Sequence, residues 1–206
     1  MVYFFCIVTF FYPRDIHIAR ASRMRGFSLT ELLVTVSIFV IVAGVVLVNF
    51  PSFSSRIALE NLAHEIALVV RQAQVFGVAS REFGPGSGIF PTHGAHFDIS
   101  ANTSFTLFAD TNENGLYGGS GELIETLRIQ RGNVISSLCG YATASSPCTS
   151  LDTLHITFTR PDPEARIIGS AGGSSSEYSY STITVRSTGG NTNMVTVWSN
   201  GQIAVQ

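Results

Sequence analysis

The sequence predicts an α+β fold in which one long N-terminal helix, membrane-spanning and then amphipathic, packs on a β-rich C-terminal head. Three observations carry that prediction. The run 32–55 contains no charged residue, and about 20 helical residues at roughly 1.5 Å each cross a hydrocarbon core. Between positions 59 and 76 the apolar residues recur with the helical period. Beyond position 80, short runs with alternating apolar residues stand between Gly, Pro and Asn turn signals, which is the pattern of strands.

Composition narrows the classes. The chain has 206 residues, 45% of them hydrophobic and 13% charged, with a formal net charge of −2 and no lysine. That is too apolar for a disordered tail and too short for a multi-domain enzyme. Arg14, Arg20, Arg23 and Arg25 fall before position 26, and beyond them 8 arginines face 13 carboxylates, because Asp15 is the acidic residue of the basic segment. An acidic body behind a basic N-terminus argues against a general nucleic-acid binder and for a membrane topology signal.

In chain order, the first apolar run, residues 1–12, is too short to span a bilayer comfortably and reads as an upstream extension, with Met1 and Met24 both possible starts. The span follows; a buried soluble helix seldom lacks charge on every face for so long. Arginines before it put the N-terminus in the cytoplasm and everything after Arg56 outside. Leu59, Leu62, Ile66, Val69, Ala73 and Phe76 then form one stripe, with Glu60, Glu65, Arg71 and Gln72 off it, so the helix continues to about Ala79. Gly44 and Pro51 interrupt it, and Pro51 should kink or loosen the backbone by removing a hydrogen bond. The whole helix spans about 50 residues, or roughly 75–80 Å.

FGPGSGIFPTHG is a loop, and strands are expected at 95–99, 104–109, 123–129, 133–138, 154–159, 181–187, 194–199 and 202–205. Alternation at Ile183, Val185, Val195 and Val197 implies sheets with one buried face, packed on the second part of the helix. Residues 169–177, GSAGGSSSE, are expected to be a flexible surface loop.

At the join between basic segment and span the chain reads Arg25, Gly26, Phe27, Ser28, Leu29, Thr30, Glu31. This resembles the cleavage and methylation motif of type IV prepilins and type II secretion pseudopilins. The resemblance implies a leader of residues 1–26 cut after Gly26 by a prepilin peptidase, N-methylation of Phe27, a helical segment 27–80 and a head at 81–206. VRQAQVFGVAS, FTLFADTNENGLYGGSGELIETLRI and VTVWSNGQIAV together resemble the GspH/FimT family of minor pilins and pseudopilins. That second resemblance implies a pilin-like head of two antiparallel sheets. It also implies partners: the peptidase that doubles as N-methyltransferase, other pilins met through the N-terminal helix, and the inner membrane, crossed once before the subunit enters a pilus or pseudopilus.

Glu31 has a physical role of its own. A carboxylate costs roughly 2.5–3.5 kcal/mol at a bilayer centre and less near the interface. A salt bridge to the Phe27 amine of a neighbouring subunit neutralises both groups and sets axial register; wetting by headgroups is the plainer alternative.

Other chemistry is sparse. Cys6 lies in the segment expected to be removed, and Cys139 and Cys148 in CGYATASSPC face an oxidising compartment, which predicts a disulfide. Zinc is the weaker reading, because His64, His93, His96 and His155 are scattered as surface or core residues. Asp110, Asn112, Asn114 and Gly115 match the first half of a calcium loop, but its twelfth position is Gly121, with Glu122 one place late. A turn held by Asx side chains explains the same residues without a cofactor. No GxSxG, HExxH or phosphate loop is present, so an anchored periplasmic hydrolase is a remote alternative. The reading is a filament subunit acting in assembly and protein secretion, with a competence-type pilin that binds DNA as the alternative. DNA is the less expected partner, because no arginine follows Arg186 and the segment Gly201, Gln202, Ile203, Ala204 lacks the basic motif of DNA-binding FimT-like members.

Overall fold

The structure, a computed structural model, describes residues 26–206, and for 48–52 the backbone alone. The segment ahead of Gly26, expected to be a leader, lies outside the described residues with its arginines, Cys6 and both candidate starts. Helix α1 runs Leu29–Val78, and its helical backbone continues through Gly44 and Pro51. The chain divides into two compact units, 1–45 and 46–206.

In the first unit every large apolar side chain of α1 is exposed, from Leu29 through Val45. The stretch Leu29–Leu47 has a mean hydropathy of 2.5 over 19 residues, close to the length that crosses a hydrocarbon core. The two hydroxyls inside it are satisfied by its own backbone, Thr35 Oγ1 donating to the Leu32 carbonyl and Ser37 Oγ to those of Leu33 and Val34, while Thr30 near its start pairs with the Ser28 hydroxyl. A helix that closes its hydroxyls internally exposes no unsatisfied donor to lipid.

In the second unit the rest of α1 does what its periodicity predicts. Leu59, Leu62, Ile66, Val69 and Ala73 are buried together with Ala63 and Val70, and Phe76 packs at the margin. The helix ends in a Schellman motif. Ser80, at φ +52°, donates its N–H to the Gly77 carbonyl, and Arg81 donates to that of Phe76 while its guanidinium lies 3.9 Å above the Phe76 ring.

Eleven strands follow: β1 Thr92–Asp98, β2 Ser104–Asp110, β3 Leu123–Arg128, β4 Val134–Tyr141, β5 Thr149–Ser150, β6 Thr153–Phe158, β7 Ala165–Ala171, β8 Ser174–Tyr178, β9 Tyr180–Arg186, β10 Thr192–Trp198 and β11 Ile203–Val205. They form two antiparallel sheets, as expected: one ordered β3-β2-β1-β6-β7-β8, the other β11-β10-β9-β4-β5. Phe97, Phe105, Leu107, Leu154, Ile156, Phe158 and Ile167 from the first sheet meet Ile135, Leu138, Ile183, Val185, Val195 and Val197 from the second in one core with α1.

One expectation needs correction, and two strands were not foreseen. The stretch 169–177 is not a loop: it pairs as the β7–β8 hairpin, with Ala171 opposite Ser174. Gly172 and Gly173, at φ +56° and +84°, supply the two left-handed residues of a type I′ turn, and Ser170 and Ser175 hydroxyls bond across the pair at 2.7 Å. Strands β5 and β7 were also not expected; β5 has two residues and β7 carries Gly169 where Leu151 and Tyr178 press close.

The chain crosses between the sheets three times, first through residues 129–133 from β3 to β4. Leu151 and Asp152 carry it from β5 to β6, and Ser179 alone separates β8 in one sheet from β9 in the other. Ser179 seals the passage, its N–H donating to the Tyr141 carbonyl and its hydroxyl to that of Ala142. Bends at which a strand changes sheets close such a sandwich at its corner.

Candidate functional site

The junction at 26–31 is built by its own side chains. Gly26 and Phe27 precede the helix, Phe27 is 75% exposed, and a Cβ at Gly26 meets nothing within 4 Å. Ser28 is the N-cap: its Oγ accepts the Glu31 N–H at 3.2 Å, and the Leu32 N–H reaches the Ser28 carbonyl. The local signal for this cap is the Ser-x-x-Glu spacing of a capping box at Ser28 and Glu31. Glu31 thereby sits in the first turn, where its charge opposes the positive end of the helix dipole. The Gly26–Phe27 bond is thus an accessible peptide directly ahead of a capped apolar helix.

The second predicted cluster lies on the opposite face of the first sheet from the main core. Residues 111–122 fold across that face and bury Phe108, Asp110, His155, Thr157 and Ile168 under them. Asp110 is 1% exposed, and both its oxygens are engaged: Oδ1 accepts the Asn114 N–H at 3.1 Å and Oδ2 the Gly115 N–H at 2.6 Å. Asn112 Oδ1 also accepts from Asn114, and Asn114 Oδ1 from Leu116 at 2.7 Å. Glu122 accepts the Gly118 N–H at 2.7 Å. The four oxygen-bearing side chains are therefore brought to one loop, where each accepts from a main-chain amide, Asn112 and Asn114 in Asx turns to the residue two places on. Burial raises the pKa of Asp110, against the pull of the Gly115 and Asn114 amides, and the Glu122 charge raises it further.

The histidines are less scattered than the sequence implied. His96 and His155 stand opposite each other on β1 and β6 with rings stacked at 4.6 Å. His155 Nδ1 accepts the Tyr117 N–H at 3.0 Å and so helps hold the covering loop. Burial, followed by the neighbouring His96, drives the His155 pKa down to about 3. His93 is buried against Phe76, while His64 is exposed on α1. Among the described residues no group of three His, Cys, Asp or Glu side chains is placed to hold a metal ion.

Cys139 and Cys148 are joined in a disulfide with Cα atoms 5.3 Å apart, as expected. The bridge ties β4 to the residue that enters β5, just ahead of the crossing at Leu151–Asp152.

Residues 21–47 match the family described as the prokaryotic N-terminal methylation motif. No curated protein and no solved structure matches the chain at a significant level. The matched stretch supports a type IV prepilin-like N-terminus, which implies processing by a prepilin peptidase and assembly with other pilins. With the exposed apolar helix behind it, that motif fits a membrane-anchored protein with a structural role.

Proposed function

We propose that this chain is a minor pilin or pseudopilin of the GspH/FimT kind, a subunit of a type IV pilus or type II secretion pseudopilus that acts in filament assembly and protein secretion. The observation that carries this reading is the junction itself: an accessible Gly26–Phe27 bond, an N-capped helix start, and an apolar helix whose large side chains are exposed among the described residues. In this reading residues 1–26 are the leader, 27–80 the helix and 81–206 the head. Cutting after Gly26 creates an amine at Phe27, and N-methylation preserves its charge. The helix serves first as anchor, with the N-terminus cytoplasmic and the head outside, and then as a filament core element. There the low dielectric favours pairing Glu31 with the Phe27 amine of a neighbour over leaving either charge alone.

Co-expression with a prepilin peptidase tests this. The mature protein should begin at Phe27; Gly26→Ala should be cut and a bulky residue at 26 should not. Glu31→Ala should insert normally, because the span becomes more apolar, yet fail to enter filaments. Recovery of the Arg-rich segment on the mature protein sinks the proposal.

A further inference from the structure

We propose that the loop 111–122 is an acid-released flap, latched to the first sheet by one hydrogen bond whose acceptor, His155 Nδ1, is turned into a donor by a proton.

The geometry isolates that bond. Asp110, Asn112, Asn114 and Glu122 hold the loop to itself, through the amides of Asn114, Gly115, Leu116 and Gly118. Among the described residues, the Tyr117 N–H to His155 Nδ1, at 3.0 Å, is the one hydrogen bond from residues 111–121 to anything outside 110–122. The rest of the seating is packing. The Tyr117 ring lies 5.1 Å from that of His96 and 5.5 Å from that of Phe108, and Gly115, at φ +81°, sits against Ile168. Phe108 and Ile168 are buried beneath. On the return limb a Cβ at Gly119 or Gly121 meets nothing within 4 Å, so the flap lifts without parting the strands.

Protonation reverses the latch. A neutral His155 that accepts at Nδ1 carries its hydrogen on Nε2, whereas the charged ring has N–H on both nitrogens and turns one of them on the Tyr117 N–H. The ring also stacks on His96 at 4.6 Å, and no carboxylate bonds to it among the described residues. The charged and titratable groups around it are His96 and Asp98 on β1, Arg166 on β7 with Glu177 of β8 beside it, and Asp110, Glu113, Tyr117 and Glu122 at the loop. Burial and then His96 push the His155 pKa down, Asp98 pulls it up, and together they bring it to about 3. Closure therefore weakens as pH falls below the ordinary 6.5 and goes on weakening until about 3. Asp110, raised chiefly by burial, favours the closed flap in stronger acid and so opposes release there. With the open ring at its ordinary value, His155 alone raises the open-to-closed ratio about 25-fold between about pH 7 and about pH 5.

Hydrogen exchange of the full chain in detergent micelles, read by mass spectrometry at those two pH values and corrected for intrinsic amide rates, tests the proposal. Peptides covering 115–118 should open about 25-fold more at the lower pH, while those covering β4 and β9 keep their protection. His155→Asn, which retains an acceptor and cannot charge, should cut that rise below about fivefold, the remainder belonging to His96. A parent rise under about fivefold overturns the proposal, as does a larger rise retained in the variant. An equal rise across β4 and β9 overturns it in favour of acid unfolding of the whole head. Ring NMR of His155 in the unsubstituted chain keeps the test decisive if His155→Asn does not fold. A ring that titrates near 6.5 with the flap closed overturns the latch, and one still neutral at about pH 5 supports it.

Discussion

Folding strips water from His155 and commits its Nδ1 to the Tyr117 amide, so the neutral ring belongs to the folded state and the protonated ring to the unfolded one. The consequence has a definite sign. Stability is full above the ordinary histidine value near 6.5 and declines as pH falls from there toward about 3, where the folded ring finally titrates. His93 and His96, lowered chiefly by burial, add to the same slope, while Asp110, raised by burial, opposes it in stronger acid. Chemical denaturation of the head at about pH 7 and about pH 4 should therefore show a marked loss of stability, and His155→Asn, which keeps an acceptor but cannot charge, should flatten it. An unchanged slope in that variant would assign the acid sensitivity elsewhere. None of this was legible in the sequence, because His96 and His155, 59 positions apart, meet only through the β1–β6 register. Ser28 is the opposite case, since its cap is written locally in Ser28 and Glu31.

Among the elements, legibility followed burial geometry. The second sheet, with one face on the core, alternates visibly at Ile183, Val185, Val195 and Val197. The first sheet is covered on both faces, so β2 buries six of its seven residues and its alternation is blurred. Strand β8 has no apolar run to announce it; only the paired glycines ahead of it did, and they read equally well as a linker. At the corner, the bridge between Cys139 and Cys148 closes a short loop, worth about 2.5–3 kcal/mol in the chain-entropy account. Cys139→Ser with Cys148→Ser should lower the denaturation free energy by about that amount, and mass spectrometry of unreduced protein should find no free thiol in the parent. The covering loop 110–122 yields a different expectation. Its acidic oxygens already accept main-chain amides, so we expect the melting temperature of the metal-free head to stay unmoved at millimolar-range calcium; an upward shift would mean the amides yield to the ion.

For the molecule as a whole, charge placement bears on DNA. Arg128 stands on β3 and Arg166 on β7, four strands apart in the same sheet, which is roughly 19 Å at about 4.8 Å per strand. Their registers also differ, since Arg128 aligns with the Asp98 end of β1 and Arg166 with Gly94. Folding thus keeps apart arginines that would have to converge to hold a duplex, and the excess of carboxylates repels phosphate at long range. Anisotropy of the head, residues 56–206, with duplex DNA should show at most weak binding at low salt. Micromolar or tighter binding lost on Arg128→Ala with Arg131→Ala would make DNA uptake the leading function. The two sheets themselves are joined like the boards of a book stitched in three places, at 129–133, at Leu151–Asp152 and at Ser179, with the disulfide as a clasp beside the last two. Strand β11, three residues long and at the edge of the second sheet, is the loose page. Amide hydrogens on β11 should then trade with solvent before those where β4 meets β9, in the interior of that sheet.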